Sequence, residues 1–282
     1  MTASGDYVTL DEPRTGLQRL AARFRGHAFD PHRHECYAIG ITDGGVQSFR
    51  YRGAERASLR GQIMVIHPDE PHDGHAGVPS GFAYRMLYLD PSLVQRALGG
   101  AGAPPFVPDV VADDAETTGI LAEAFVDFPA PLEPLAADGI VARLADTLAR
   151  RGDCERGRAR GPRAHACVEM ARAFLAAECG RAIASSDLEG ITGLDRFSLA
   201  REFRAVLGTS PHRYLVGRRL DLARTLIISG TGLADAAAAA GFVDQSHLTR
   251  HFKARYGVTP GRWAALARTE NGARRGRTRP RG

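Results

Sequence analysis

Five histidines in the first third of the chain have the residue type and spacing to form a polar site. His32 and His34 lie two positions apart in FDPHRHECYAIG, and His67, His72 and His75 follow in QIMVIHPDEPHDGHAG. Residues two apart on a β-strand point to the same face, so the first two imidazoles should project together. Imidazoles at this spacing can bind a divalent transition metal or line a small-molecule pocket.

The histidine pattern resembles that of cupin barrels, in which an HxH pair and a later histidine are metal ligands. Metal-binding cupins usually carry a Glu four or five residues after the second histidine, and Ala38 and Ile39 stand at those positions here. Glu35 is adjacent in sequence to His34 and is predicted on the other strand face. We therefore expect no metal and no other cofactor, and instead a pocket for a small-molecule effector. The predicted effector contacts are His32, His34, Arg50, His72 and Tyr88.

Short strands must position these residues. The apolar runs YAIGIT, VQSFRY, QIMVI and YRMLYL are separated by the turn signals DGG, RGAE and HPDEP, which predicts a small antiparallel barrel or sandwich. Residues 1–95 are assigned to this cupin-like barrel. The pattern then becomes helical over residues 96–151, where an apolar stripe at Leu135, Ile140, Leu144 and Leu148 predicts a helix that packs on the barrel or forms a dimer interface.

A second constellation lies near the C-terminus, where one sequence unit occurs twice. The 17-residue windows that begin at Leu199 and Leu248 share seven identities. In each window, Leu and Phe four apart form the inner face of a helix, Gly ends that helix, and Ser-Pro or Thr-Pro begins the next. A short helix closed by Gly193 or Gly241 precedes each copy. Helix, glycine turn and a helix with a basic outer face together predict a helix-turn-helix.

The outer faces of the two repeated helices carry the candidate DNA contacts. These are Arg196, Phe197, Ala200, Arg201 and Arg204 in the first copy, and Gln245, Ser246, Thr249, Arg250 and Lys253 in the second. A helix of roughly 18 residues, about 27 Å long, is expected between the two units. It would place the two repeated helices about one DNA turn apart. Arg213 and Arg262 follow each proline and fit a phosphate contact or an internal ion pair equally well.

The charge distribution supports two modules. Residues up to Arg160 comprise 17 basic and 22 acidic side chains, whereas those from Gly161 comprise 20 and 10. A basic second half is typical of a polyanion-binding module. Residues 152–163, rich in Gly and charge, are predicted to be a linker, and residues 269–282 a disordered basic tail.

The second half resembles the AraC/XylS family of bacterial transcription regulators. Its signature is followed through Gly241-Phe242, Gln245-Ser246-His247, Phe252-Lys253, Gly257 and Thr259-Pro260. The resemblance implies a seven-helix double helix-turn-helix over residues 164–268 and a preceding effector-binding domain. Glu189-Gly190 depart from the pattern, since small or apolar residues are usual there, and this predicts a weaker first scaffold helix.

The sequence therefore predicts an α+β two-domain protein, with an N-terminal cupin-like β-barrel and following helices, and a C-terminal all-α double helix-turn-helix. Its expected function is that of a sequence-specific transcription regulator. Expected partners are double-stranded promoter DNA, a small-molecule effector, a second copy in a homodimer, and RNA polymerase. The alternatives are a cupin-type metal-dependent enzyme with a DNA-binding appendage and a nonspecific architectural DNA binder.

The composition indicates the cellular compartment in which the protein is expected. No run of 18 apolar residues is present, so we expect no membrane span. The N-terminus lacks the basic start and apolar stretch of a secretory signal. The four cysteines form no CxxC pair and are interpreted as reduced thiols of a cytoplasmic protein.

Overall fold

A computed structural model describes residues 5–11, 16–99, 104–152 and 162–275, with side chains described for residues 164–267 in the last range. None of the described helices is long and apolar enough to cross a membrane. Most of the predicted linker, residues 153–161, lies outside the described residues. The described cysteines, Cys36, Cys167 and Cys179, are free thiols.

The first domain is built on two antiparallel sheets that share one long strand. The strands are β1 Tyr7–Leu10, β2 Leu17–Phe24, β3 His27–His32, β4 Tyr37–Tyr51, β5 Ala54–Leu59, β6 Ile63–Ile66, β7 His72–Ala76, β8 Phe82–Leu89 and β9 Val111–Ala112. One sheet has the order β1-β2-β8-β4-β6-β9, and in the other β4 pairs with β5 and β7, and β7 with β3. This arrangement is the cupin-like fold expected from the sequence.

One predicted turn is part of strand β4 in the structure. Asp43–Gly45 was expected to separate two strands, but β4 continues through it with a register shift between Thr42 and Gly44. Gly45 has φ +71°, and a Cβ there would lie 1.9 Å from the Gly81 carbonyl oxygen. Gly44 and Gly45 therefore allow a bulge, and this bulge bends β4 from the first sheet into the second.

Three helices cover the outer face of the first sheet. They are α1 Pro91–Ala97, α2 Ala115–Ala124 and α3 Pro134–Arg151. Ile140, Leu144 and Leu148 of α3 pack with Ile39 and other outward-facing strand residues in one buried cluster. The predicted packing on the barrel is confirmed for these three positions. Leu135 was wrongly placed in the stripe, since it is 84% exposed in the first turn of α3.

The second domain contains seven described helices. They are α4 Pro162–Ala177, α5 Ser185–Thr192, α6 Arg196–Leu207, α7 Pro211–Ile228, α8 Leu233–Ala239, α9 Gln245–Tyr256 and α10 Pro260–Arg275. The pairs α5–α6 and α8–α9 form the two helix-turn-helix units, and the 18-residue helix α7 joins them. Helix α10 extends seven residues into the segment predicted as a disordered tail, and residues 276–282 lie outside the described residues.

The predicted residues that end and begin the helices of the repeat are confirmed. Gly208 and Gly257 end α6 and α9 in the left-handed conformation, with φ +74° and +67°. Ser210 Oγ accepts a hydrogen bond from the Arg213 backbone, and Thr259 Oγ1 accepts one from the Arg262 backbone. These local signals fix the helix ends because each satisfies backbone groups that the helix itself leaves unpaired.

The two domains share a core. Phe29, Tyr84 and Met86 of the barrel belong to the same buried cluster as Phe252 and Trp263 of the second domain. The Asp30 backbone N–H donates to the Gly257 carbonyl at 2.9 Å, and the Arg33 N–H donates to Ala254 at 3.0 Å. Helix α9 is therefore docked on β3 through main-chain hydrogen bonds as well as apolar contacts.

Candidate DNA-reading helices and effector cavity

Helix α6 presents a polar outer face above a buried inner one. Asp195 caps its N-terminus by accepting hydrogen bonds from the backbone of Phe197 and Ser198, both at 3.0 Å. Leu199 and Phe203 are buried. The predicted contacts Arg196, Phe197, Arg201 and Arg204 are exposed, and Ala200 is half-buried. Phe197 is 71% exposed, which is unusual for a phenyl ring without an apolar partner surface.

Helix α9 repeats the arrangement with different outer residues. Asp244 caps it by accepting a 2.6 Å hydrogen bond from the His247 backbone N–H. Leu248 and Phe252 are fully buried. The predicted contacts Gln245, Ser246, Arg250 and Lys253 are exposed, and Thr249 is half-buried. The N-terminal half of the helix, which in this class of unit approaches base edges, is thus open to solvent.

Glu189 connects the first scaffold helix to the reading helix. Its carboxylate accepts hydrogen bonds from the Arg196 backbone at 2.9 Å and from the Arg196 side chain at 3.1 Å. Despite Glu189 and Gly190, α5 forms over eight residues. The departure from the family pattern therefore adds a contact at the turn, and the glutamate has a structural role that its sequence position did not suggest.

Three basic side chains that were candidates for DNA contact bond to the barrel. Lys253 Nζ lies 2.7 Å from an Asp30 carboxylate oxygen, and this hydrogen bond lowers the Asp30 pKa. Arg213 pairs with Asp69 at 2.9 Å. Arg262 donates to the His27 carbonyl at 3.1 Å. The ion-pair alternative for Arg213 is thus the one seen, and its partner belongs to the other domain.

Val243 is a surface residue that the sequence reasoning missed. It lies in the turn immediately before α9 and is 85% exposed. A branched apolar side chain next to a reading helix can contact thymine methyl groups. Its position between Phe242 and Asp244 gave no periodic signal, because the residue belongs to a turn rather than to a helix face.

A cavity opens between the inner face of the barrel and the second domain. Its enclosed volume is about 90 Å³, and its mouth is open to solvent. Strand residues Leu20, Ala38, Ile66 and Met86 give it apolar walls. The second domain closes it with Arg218, Asp221, Arg224, Arg255, Tyr256 and Trp263.

Four of the five predicted effector contacts line this cavity. His32, His34, His72 and Tyr88 are brought together, with the His72 ring centroid 4.2 Å from that of His32 and 4.8 Å from that of His34. Burial lowers the pKa of all three imidazoles, to about 4 for His72. All three are therefore neutral near pH 7 and present nitrogen lone pairs to the cavity.

Arg50 is the exception among the predicted contacts. It precedes Tyr51, which is buried and faces His72 across the sheet. Alternation along β4 therefore turns the Arg50 side chain outwards, where it is exposed. The prediction was wrong because the strand phase at VQSFRY could not be fixed without its partner strand.

The cationic side of the cavity comes from α7 and α9. Arg224 donates to the Gln18 side chain at 2.5 Å and lies 3.6 Å from Asp221. Arg255 pairs with Glu35 of the barrel. The buried Nε atoms of Arg218 and Arg255 and the Nε1 atom of Trp263 have no hydrogen-bond partner among the described residues, and all three residues line the cavity.

Sequence comparison assigns both halves of the chain. Residues 15–145 match the family described as the AraC-like ligand binding domain, and residues 189–265 match a helix-turn-helix domain. The chain thus joins an AraC-like ligand-binding domain to a helix-turn-helix domain, which is the organisation that the resemblance to the AraC/XylS family implies. The predicted effector-binding and helix-turn-helix domains are confirmed, and the protein is a transcription regulator with a ligand-binding domain and a DNA-binding domain.

The chain is similar to proteins described as transcription regulators and to a solved structure of the same fold. The uncharacterised HTH-type transcriptional regulator YbfI of Bacillus subtilis is 26% identical over 233 residues, which cover 81% of this chain and 85% of YbfI. The transcriptional activator RhrA of Rhizobium meliloti is 43% identical over 63 residues, 21% of this chain and 20% of RhrA. The crystal structure of ToxT from Vibrio cholerae superposes with a TM-score of 0.64 at 12% identity, covering 90% of this chain and 99% of ToxT.

Proposed function

We propose that α6 and α9 read two successive major grooves of one DNA duplex. The outer residues of both helices are exposed, and the 18-residue helix α7 that joins the two units is about 27 Å long. The outer residues differ between the copies, with Arg196 at the position of Gln245 and Ala200 at that of Thr249. The two helices would therefore recognise different half-sequences.

The effector of this regulator is proposed to bind in the cavity between the domains. The observation that carries this proposal is that α9 supplies both Arg255 and Tyr256 to the cavity and Gln245 and Thr249 to the DNA-reading face. An effector that contacts Arg255 or Tyr256 would therefore touch the helix that reads DNA. Such contact would link effector binding to DNA affinity if the effector bound one position of α9 on the barrel more tightly than another.

The chemistry of the cavity indicates an amphipathic effector. Its strand side is apolar, and three residues with unpaired arginine or tryptophan N–H groups line it, which favours a ligand with an acceptor such as a carboxylate. ToxT, which shares the fold, has been crystallised with an unsaturated fatty acid. We propose that the effector acts by binding alone, without turnover.

The same proposal includes a homodimer that works in the cytoplasm at promoters, next to RNA polymerase. Val126 and Leu135 are 74% and 84% exposed and lie at the end of α2 and the start of α3. Exposed large apolar residues of this kind are candidates for the surface that a second copy would bury.

Removal of a base-reading side chain should weaken specific binding selectively. Gln245→Ala and Thr249→Ala should each weaken binding to a selected operator about 5–150-fold, since one good base contact contributes roughly 1–3 kcal/mol. Binding to random duplex DNA should change much less, because it depends on phosphate contacts. Fluorescence anisotropy at fixed salt measures both affinities. Ser80→Ala, at an exposed barrel position, is the control, and equal losses on both DNAs would assign these residues to the backbone.

The effector proposal is tested by a thermal-shift screen of the full chain. Unsaturated fatty acids and short carboxylic acids are the first probes, and a bound effector should raise the melting temperature in proportion to its free concentration. The hit should lose affinity for Tyr88→Leu and should change operator affinity in the parent protein. A hit that stabilises both proteins equally would place the ligand outside the cavity.

A further inference from the structure

We propose that Phe197 and Ala200 of α6 recognise thymine in the operator half-site of that helix, by contact with the methyl group that thymine presents in the major groove. The two residues are three positions apart, so their side chains lie on one face of the helix. The inference rests on the proposed function, in which α6 enters a major groove. It adds the base, and the chemical group of that base, that α6 recognises there.

The Phe197 ring is not part of the protein core. It is 71% exposed at the second position of α6. The buried cluster beneath the helix contains Leu199 and Phe203 but not Phe197, and no aromatic ring or guanidinium packs against Phe197 among the residues that the structure describes. Covering a phenyl ring that faces water is favourable. The ring is therefore available to a binding partner.

The two arginines nearest to Phe197 on the outer face are bonded to neighbouring residues of the protein. Nε of Arg196 donates to the Glu189 carboxylate at 3.1 Å, and Nη2 of Arg201 donates to the Ser198 hydroxyl at 2.9 Å. A guanidinium has five N–H donors, so each arginine can still bind a phosphate oxygen. Phe197 has no comparable contact, and it remains open to a base edge.

The charge around the ring favours DNA as the surface that covers it. Arg196, Arg201 and Arg204 are exposed on the same helix, and the chain from Gly161 onwards carries 20 basic and 10 acidic side chains. Such a surface attracts the phosphates on both sides of a groove. A protein partner could also cover a phenyl ring, but a helix-turn-helix places the first residues of its second helix at base edges.

Thymine is the base that an apolar side chain can recognise. In the major groove the bases present hydrogen-bond donors and acceptors, and the thymine methyl group is the apolar feature among them. The side chains of Phe197 and Ala200 neither donate nor accept hydrogen bonds. Against a cytosine, the ring would cover the amino group without replacing its hydrogen bond to water, which is unfavourable. The pair therefore favours a thymine at the contacted positions.

The second reading helix does not share this feature. Ser246 stands at the position of Phe197, and Thr249 stands at that of Ala200. With Gln245 beside them, these residues offer hydroxyl and amide groups, which bond to base edges. The two half-sites should therefore be recognised by different chemistry, through methyl contacts at α6 and through hydrogen bonds at α9.

Replacement of thymine by deoxyuridine tests the methyl contact, because it removes the methyl group and keeps the base-pairing edge. The probe is a duplex that the full chain selects from random sequence, with deoxyuridine placed at one thymine at a time. In the half-site of α6, at least one such replacement should weaken binding about 4-fold, the effect of one aliphatic carbon that is no longer buried. Fluorescence anisotropy at fixed salt measures the affinities.

Phe197→Ala shows whether the ring is responsible. In this variant the loss caused by deoxyuridine should disappear at one or more of the positions where the parent protein shows it, because coupled groups give a nonadditive double-mutant cycle. Ser246→Ala, at the equivalent position of α9, is the matched control and should keep the full loss. A loss that persists at every position in Phe197→Ala would contradict the proposal. A loss confined to the half-site of α9 would also contradict it, and would assign methyl recognition to Val243.

Failure of the methyl contact can be distinguished from failure of the proposed function. The half-site of α6 is the one that stays protected from chemical modification when Gln245 and Arg250 are replaced by alanine. If the chain selects no sequence, or contacts a single major groove, both proposals are wrong. If it contacts two grooves, and the half-site of α6 lacks thymine or tolerates deoxyuridine at every thymine, only the contact by Phe197 and Ala200 is contradicted.

Discussion

Phe252→Ala should lower the free energy of unfolding by about 3–5 kcal/mol and abolish operator binding. The Phe252 ring is fully buried and packs against Tyr256 and Trp263, with ring centroids 4.5 and 6.1 Å away. Its removal leaves a cavity in the cluster that joins α9 to the barrel. Urea denaturation and operator binding by anisotropy measure the two effects.

Phe197→Ala is the matched control for this prediction. The same side chain is removed, but from a position that is 71% exposed at the start of α6. Stability should therefore change by no more than about 0.5 kcal/mol, whereas operator binding should weaken if the ring contacts DNA. A loss of stability in Phe197→Ala comparable with that in Phe252→Ala would show that α6 is packed differently from the arrangement described above.

Acid should destabilise the barrel through His67. The Val107 backbone N–H donates to Nε2 of His67 at 2.9 Å, so Nδ1 carries the proton and donates to the Tyr51 hydroxyl at 2.8 Å. Protonation of Nε2 would break the first of these bonds. Burial is the main cause that lowers the His67 pKa to about 4, and the charge of Arg52 adds to it.

The direction of the pH dependence follows from this shift. The unfolded chain takes up a proton on His67 below pH 6.5, whereas the folded chain does so only below about pH 4. Stability is therefore fully present above pH 6.5 and falls as the pH is lowered towards 4, by up to about 3 kcal/mol from this residue. Urea denaturation at several pH values measures the slope.

His67→Gln isolates the contribution of this one histidine, because glutamine keeps a donor and an acceptor without titrating in this range. The variant should be less stable than the parent protein at pH 7 and should lose less stability between pH 6.5 and 4. Ser80→Ala, at an exposed position without a titrating side chain, should leave the slope unchanged. Parallel profiles for the parent protein and His67→Gln would contradict the assignment of proton uptake to His67.

The reading helices were predictable from sequence because their signals are local. Apolar residues four apart, a glycine in the left-handed conformation and a capping residue before proline fix α6 and α9 within about fifteen residues of chain. The histidine pair was predictable for the same reason, although His32 ends β3 and His34 lies beyond it rather than on one strand.

The side of the cavity that the second domain supplies was not predictable in this way. Arg224 bonds to Gln18, 206 positions away in sequence, and Arg255 pairs with Glu35. Both arginines lie on helices in which the pattern of apolar and polar residues fits an arginine exposed to solvent as well as one that faces a cavity. Only the docking of the second domain on β3 shows that they face a cavity, because this information resides in tertiary contacts rather than in spacing.

Guanine methylation protection on a selected operator tests most directly whether one chain reads two major grooves. Dimethyl sulfate modifies N7 in the major groove, so bound reading helices should protect two groups of guanines, about 10–10.5 base pairs apart, for each protomer. Gln245→Ala with Arg250→Ala should remove protection from one group and leave the other. Protection of a single group per protomer, or uniform protection along the duplex, would contradict the proposal that one chain reads two major grooves.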